Sequence, residues 1–223
     1  IASVSRINEF LALPEKKVYE EVTMDYKEAE EAVIAENLSF AYDTKQVLND
    51  MNICIHKGEH VTLSGRTGAG KSTLFKLILG LYEPESGTIK VCNQNPYRLK
   101  KEERRKIFGY VEQKFHPVPG TIRDQITLFD ENITDEQVKE ALKLTGLLDT
   151  VESFKDGIHT PVKKEMFSQG QWQILSITRA VVCNPEIMML DEITSDLDAI
   201  SEQEIMHVLS EVADNRTVIS ITH

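Results

Sequence analysis

Nine residues constrain this chain more than any other stretch: Gly65-Arg66-Thr67-Gly68-Ala69-Gly70-Lys71-Ser72-Thr73. They follow the phosphate-binding pattern of Gly, four residues, Gly, Lys, then Ser or Thr. Residues 60–64 before them read as a short strand, and residues 74–80 after them as an apolar helix. Strand, glycine loop and helix together are the context the pattern needs. Glycine lets the backbone curl so that several N–H groups point at one anion, and the helix N-terminus adds partial positive charge there. Gly65, Thr67, Gly68, Gly70, Lys71, Ser72 and Thr73 are therefore the expected contacts to a nucleoside triphosphate. Lys71 would reach the terminal phosphates and Ser72 would hold Mg²⁺. A dinucleotide loop fits less well, because its third glycine would fall at position 73, which is Thr.

Composition narrows the class. The 223 residues are 41% hydrophobic and 27% charged, as in a globular protein. A net charge of −11 speaks against broad contact with nucleic acid backbones or anionic lipid, so no nucleic acid partner is expected. Cys54, Cys92 and Cys183 stand far apart and read as reduced, buried thiols. No apolar run is long enough to span a bilayer, so any spanning partner would lie outside these residues.

In chain order, the first thirteen residues have an amphipathic helical pattern that Pro14 stops, and residues 15–31 are charge-rich. Residues 1–32 are thus expected to be a linker, the chain beginning within a longer helix. Strands are predicted at 34–42, 47–55, 88–92, 107–111, 187–190 and 217–221. A charged helical turn is predicted at 100–106. From 121 to 182 the pattern is helical, with a capping box of Thr134 and Gln137 opening a helix to 144 and a longer helix at 169–183. A further helix is predicted at 199–212. The fold class is α/β: a phosphate-loop core of mixed sheet flanked by helices, with an antiparallel β subdomain and an inserted helical subdomain. The core is expected to comprise 33–112 and 186–223, and the insertion 113–185.

Asp191-Glu192 ends an apolar strand, where ligands bind in open α/β sheets. One carboxylate there can enter a Mg²⁺ shell and the other can orient an attacking water. A solvated acidic pair is the bland alternative, which the phosphate loop in the same chain disfavours.

Taken together, the phosphate loop, Gln113, Phe167-Ser168-Gln169-Gly170-Gln171, Asp191-Glu192, Ser195-Asp196-Leu197-Asp198 and His223 resemble, in order and spacing, the nucleotide-binding domain of ABC transporters. The resemblance covers about 33–223, and its Ser-x-Gly-Gln segment separates that family from other phosphate-loop NTPases. It implies ATP with Mg²⁺ as the bound species. Tyr42 would stack on adenine, where otherwise it would be an edge-strand tyrosine. Gln113 would sense the Mg²⁺ held by Ser72 and Asp191. Ser168, Gly170 and Gln171 would cap the γ-phosphate of a nucleotide held by a second such domain, and Ser168 can at the same time be a helix N-cap. Ser195 and Asp198 would link the two sites, His223 would contact the γ-phosphate, and Glu192 would position water. Catalysis is expected to rest on Glu192, His223, Lys71 and Gln113.

The same resemblance implies partners. One is a second ATPase domain, head to tail, in a homo- or heterodimer. The other is a membrane-spanning domain on the same polypeptide, on whose cytoplasmic side this domain would sit. Gly120-Thr121-Ile122-Arg123-Asp124-Gln125-Ile126 and Arg6-Ile7-Asn8-Glu9-Phe10-Leu11 resemble the exporter branch. Alternatives are a subunit that binds ATP without hydrolysing it, an asymmetric heterodimer, and a soluble family member acting on DNA or ribosomes. The pattern is broken at Phe167, where leucine is usual, at Gln169, where glycine is usual, at Trp172, where a basic residue is common, and at Asp196, where alanine is usual.

Overall fold

Two sheets of opposite character share the chain. The computed structural model describes residues 28–195 and 197–222. Most of the expected linker, Asp196 and His223 lie outside the described residues. Strand β1 (Glu31–Tyr42) pairs antiparallel with β2 (Lys45–His56) across a turn where Asp43 takes φ 50°, a conformation Asp tolerates better than most residues. A register shift between Ala35 and Leu38, with Asn37 at φ 49°, changes the phase of β1. Val33 and Ala35 before it and Leu38 and Phe40 after it therefore all face the core. Further along, β3 is His60–Leu63, and β4 (Ser86–Val91) joins the other edge of β1, giving the order β2-β1-β4.

The second sheet comprises β3, β5 (Phe108–Val111), β6 (Ile187–Asp191) and β7 (Thr217–Ile221), in the order β3-β7-β6-β5. Every pairing in it is parallel. Strands β5, β6 and β7 are short and largely apolar because both faces are covered, while β3 at the edge leaves His60 and Thr62 exposed. In β6, Ile187 and Met189 enter the core shared with β1 and the helix after the phosphate loop, while Met188 and Leu190 enter the helical core. Parallel and antiparallel pairing are thus segregated into separate sheets.

The helices are α1 (Lys71–Ile78), α2 (Lys101–Ile107), α3 (Ile122–Thr127), α4 (Asp135–Leu144), α5 (Leu148–Glu152), α6 (Gln169–Val181) and α7 (Ala199–Ala213). The expected box of Thr134 and Gln137 caps α4, and two more, Thr121 with Asp124 and Ser168 with Gln171, cap α3 and α6. Each satisfies helix-start donors that have no partner within the helix. Of the helices, α6 is the hub, packing on β5, α3, α4 and α7. Helix α1 starts at Lys71, three residues before the predicted 74, because the loop itself winds into the first turn. Its far end is gripped by Arg104, which donates to the carbonyls of Leu79, Gly80 (3.3 Å), Pro96 (2.9 Å) and Leu99 (3.2 Å).

Cys92 is buried and its thiol pKa is pushed up to about 11 by burial. Cys54 corrects the expectation of three buried thiols: it is exposed, on the open face of β2. Among the described residues no helix is long and apolar enough to cross a membrane.

Candidate functional site

In a parallel sheet all strands end on the same side, and this one gathers the expected site residues along that edge. Strand β3 runs into the phosphate loop, β5 into Glu112-Gln113, β6 into Asp191-Glu192 and β7 into Thr222. The Thr222 amide donates to the Leu63 carbonyl at 3.2 Å, holding the ends of β7 and β3 together.

The loop needs its glycines. Gly68 and Gly70 have φ of 84° and 90°, which side chains rarely adopt. At Gly70 a Cβ would also lie 2.7 Å from Leu48 Cδ2, so β2 presses the loop from behind. The Lys71 ammonium folds back to donate to the carbonyls of Gly65 and Arg66 (3.4 Å), which sets a positive charge within the curl of the loop. Ser72 is exposed beside it in the first turn of α1. Thr73 is buried instead, and its hydroxyl donates to the Tyr42 hydroxyl at 3.4 Å.

That bond ties Tyr42 to the loop. Its ring meets Phe40 edge-on at 4.9 Å and Tyr82 at 5.6 Å, yet Tyr42 keeps 36% of its surface exposed. A fixed, partly bare aromatic face beside a phosphate loop is suited to stacking on a flat base.

Across the sheet edge, Asp191 Oδ2 accepts a 3.1 Å hydrogen bond from the Tyr110 hydroxyl on neighbouring β5. Burial holds the Asp191 carboxyl above the usual carboxylate range. The Tyr110 bond opposes that rise, and the charges of Glu192 and Glu112 add to it. Burial, with the Asp191 charge, pushes the Tyr110 hydroxyl well up, so it stays a donor. Glu192 has φ 51°, a strained setting for a glutamate; its amide donates to Ile221 O at 3.3 Å and its carbonyl accepts from Ser195 N at 3.2 Å.

Gln113 Nε2 donates to Ser195 Oγ at 2.9 Å, bridging the ends of β5 and β6. Its amide oxygen then remains an acceptor. Ser72 hydroxyl, Gln113 amide oxygen and Asp191 carboxylate are all hard oxygen donors, a set chemically suited to Mg²⁺. Three protein oxygens leave positions for water and phosphate oxygens, the mixed shell that Mg²⁺ usually takes.

The signature residues assemble around a different partner. Ser168 Oγ accepts from Gln171 N at 3.1 Å and Gln171 Oε1 accepts from Ser168 N at 3.0 Å, so both side chains serve the cap of α6. Gly170 lies against Ser201: a Cβ there would come within 2.9 Å of Ser201 Oγ. Ser201 in turn donates to Asp198 Oδ2 at 2.9 Å, while Asp198 Oδ1 accepts from the amides of Ile200 and Ser201 at 3.0 Å. Those bonds to the start of α7 hold the Asp198 carboxyl below its usual range. The structure thus joins Gly170 and Asp198 through α7, and Gln113 with Ser195 along the sheet edge.

Tyr110 and Ser201 were not legible as site residues in the sequence. Each acts on a partner that only the sheet order or the α6–α7 packing brings near.

The ABC transporter family model matches residues 48–195, well over half of the chain. The chain is 35% identical over 192 residues to the export ATP-binding/permease protein RP696 of Rickettsia prowazekii, covering 84% of this chain and 33% of that protein. It is 32% identical over 225 residues to an ABC transporter ATP-binding/permease protein of Haemophilus influenzae, covering 100% of this chain and 41% of that one. The solved structure of a bacterial Atm1-family ABC exporter with ATP bound superposes with a TM-score of 0.77 at 27% identity, over 99% of this chain and 40% of that one. The chain spans about a third of the length of the Rickettsia relatives it matches. The phosphate loop, the strand-end carboxylates and the Ser-x-Gly-Gln helix start all fall within or beside the matched span, and the chain belongs to the ABC transporter family, as its ATP-binding ATPase domain.

Proposed function

We propose that this chain hydrolyses ATP to drive export of a substrate across a membrane, working as a head-to-tail pair of ATPase domains. The observation that carries the reading is the sheet edge: Lys71, Gln113, Asp191 and Glu192 all follow the C-terminal ends of parallel strands. The fused ATP-binding/permease nature of the relatives supports a membrane-spanning partner on the same polypeptide, with this domain on the cytoplasmic side. Residues 33–112 and 186–223 serve as the nucleotide-binding core with its β subdomain, and 113–185 as the signature-bearing subdomain.

In this reading Tyr42 stacks on adenine, and the loop amides with Lys71 hold the β- and γ-phosphates. Ser72, Gln113 and Asp191 would hold Mg²⁺, which when bound offsets charge on the phosphates. Glu192 accepts the proton of the attacking water, and Lys71 offsets charge on the transferred phosphoryl group. Ser168 and Gly170 present a hydroxyl and an N–H at the start of α6 to the γ-phosphate held by the other domain, and the role of His223 toward that phosphate is carried over as part of the proposal. Closing the pair around two ATP molecules is the step that moves the membrane domains.

The test is steady-state phosphate release. Lys71→Ala and Glu192→Gln should both fall to background, and retained turnover in either sinks the reading. A second reading, an asymmetric heterodimer, is favoured by Phe167 and Gln169 standing where leucine and glycine are usual. Light scattering of Glu192→Gln decides between them: an ATP-dependent dimer supports a homodimer, and an ATP-bound monomer supports the asymmetric pair.

A further inference from the structure

We infer that Trp172 is a positioning residue for ATP hydrolysis, acting through Gln113; the inference rests on the ATPase reading above. Trp172 lies one turn into α6, half-buried between two aromatic rings. On one side it stacks on Phe115 at 5.1 Å and 26°, and on the other it meets Phe167 edge-on at 5.0 Å. Phe167 continues to Phe154 at 5.8 Å. The indole N–H donates to the Lys164 carbonyl at 3.3 Å, which fixes the ring plane.

Phe115 is two residues beyond Gln113, so the stack fastens the loop after β5 to the signature helix. The next residues of α6 fasten it again. Gln173 Nε2, on a buried side chain, donates to the Glu112 carbonyl at 2.9 Å. The Arg179 guanidinium lies 4.3 Å over the Phe115 ring and donates to the His116 carbonyl at 3.4 Å. Residues 112, 115 and 116 are thus held by α6, while the Gln113 side chain between them reaches away to Ser195. The backbone of Gln113 is set by the signature helix and its amide by the β6 end of the site. A hydrogen-bonding amide must sit within a few tenths of an ångström to serve a metal shell or a water, so a loosened seat costs turnover rather than ATP affinity.

Of the three fastenings the Trp172 stack is the one a side-chain change can remove without orphaning a buried polar group. Trp172 is also the single tryptophan of the chain, so tryptophan emission comes from this residue alone.

The experiment uses the full chain and five variants: Trp172→Leu, Trp172→Phe, Gln113→Ala, Trp172→Leu with Gln113→Ala, and Phe115→Leu. Trp172→Leu should lower kcat about fivefold, equivalent to about 1 kcal/mol, with KM for ATP within about twofold. Trp172→Phe, which keeps a ring on Phe115, should restore kcat to within about twofold of wild type. In the Gln113→Ala background, Trp172→Leu should cost nothing further, because residues acting through one group are not additive. Without nucleotide, amide exchange at 112–116 should quicken in Trp172→Leu and stay slow in Trp172→Phe, with 65–73 unchanged in both. Phe115→Leu should shift the Trp172 emission.

A Trp172→Leu loss that adds in full to Gln113→Ala overturns the inference and leaves the ATPase reading standing. So does a loss that Trp172→Phe fails to rescue, or exchange at 112–116 that does not change. A wild-type chain with no ATP hydrolysis overturns that reading and this inference with it.

Discussion

The Tyr110 hydroxyl donates a hydrogen bond of 3.1 Å to Asp191 Oδ2, from one parallel strand to the next. Burial raises the Asp191 pKa, and this bond, made to the charged form, pulls it back down. Tyr110→Phe removes the opposing effect and leaves the ring in place. The ionised carboxylate then persists only at higher pH. The acid limb of the kcat–pH profile should move to higher pH in Tyr110→Phe, with the alkaline limb unmoved. An unshifted acid limb would show that Asp191 ionisation does not limit turnover.

The same carboxyl has a stability consequence. Its folded pKa is raised, so its contribution to stability is full below the unfolded carboxylate range and is lost as pH rises through the folded value. At neutral pH the ionised group is a net cost to the fold. Asp191→Asn keeps an acceptor for Tyr110 and removes the charge. Thermal denaturation at pH 7 should show a melting temperature higher by on the order of 2 °C, while ATPase activity disappears. At pH 3 the wild type and the variant should converge.

Glu192 carries strain of a different kind. Its φ of 51° lies in the left-handed region, which costs a non-glycine residue about 1 kcal/mol and which Asn tolerates best. Glu192→Gln and Glu192→Asn both remove the charge, but only the second suits the backbone. Urea denaturation should find Glu192→Asn more stable than Glu192→Gln by about 0.5–1 kcal/mol, with both inactive. Equal midpoints would mean that the surrounding turn absorbs the strain.

Gly170 tests the junction of α6 with α7. A Cβ there would meet Ser201 Oγ at 2.9 Å and Ser201 Cβ at 3.0 Å. Gly170→Val should therefore destabilise the chain by about 2 kcal/mol by overpacking. It should also loosen the Asp198 cap that Ser201 shares. Ser201→Gly in that background should recover about half of the loss, read from urea midpoints. No recovery would place the clash elsewhere than at Ser201.

Local chemistry carried most of what the sequence revealed. Strand β7 falls on its predicted residues, and Thr134 with Gln137 caps α4, because a short apolar run and a capping pair are written in neighbours along the chain. The phosphate loop was legible for the same reason: glycine, lysine and serine stand at fixed spacing in nine residues. Helix α3 was not separable from the general helical pattern, since six residues give less than two turns of periodicity. The phase change in β1 was hidden because a bulge leaves no compositional mark. Tyr110 was invisible as a partner of Asp191 because its position depends on β5 lying next to β6, a pairing across some eighty residues. The segregation of parallel from antiparallel strands is equally a property of connections rather than of any one strand.

Arg104 gives the phosphate loop a second meaning. Its guanidinium holds the carbonyls at the rear of α1, where the helix is electrically negative, while the front of the same helix is the loop proposed to face the nucleotide. A polyanion arriving at the front pulls on a rod whose back end is moored to the segment between β4 and α2. That mooring opposes sliding of α1 toward the anion, so the displacement expected on binding falls on the loop ahead of the helix rather than on its anchored end.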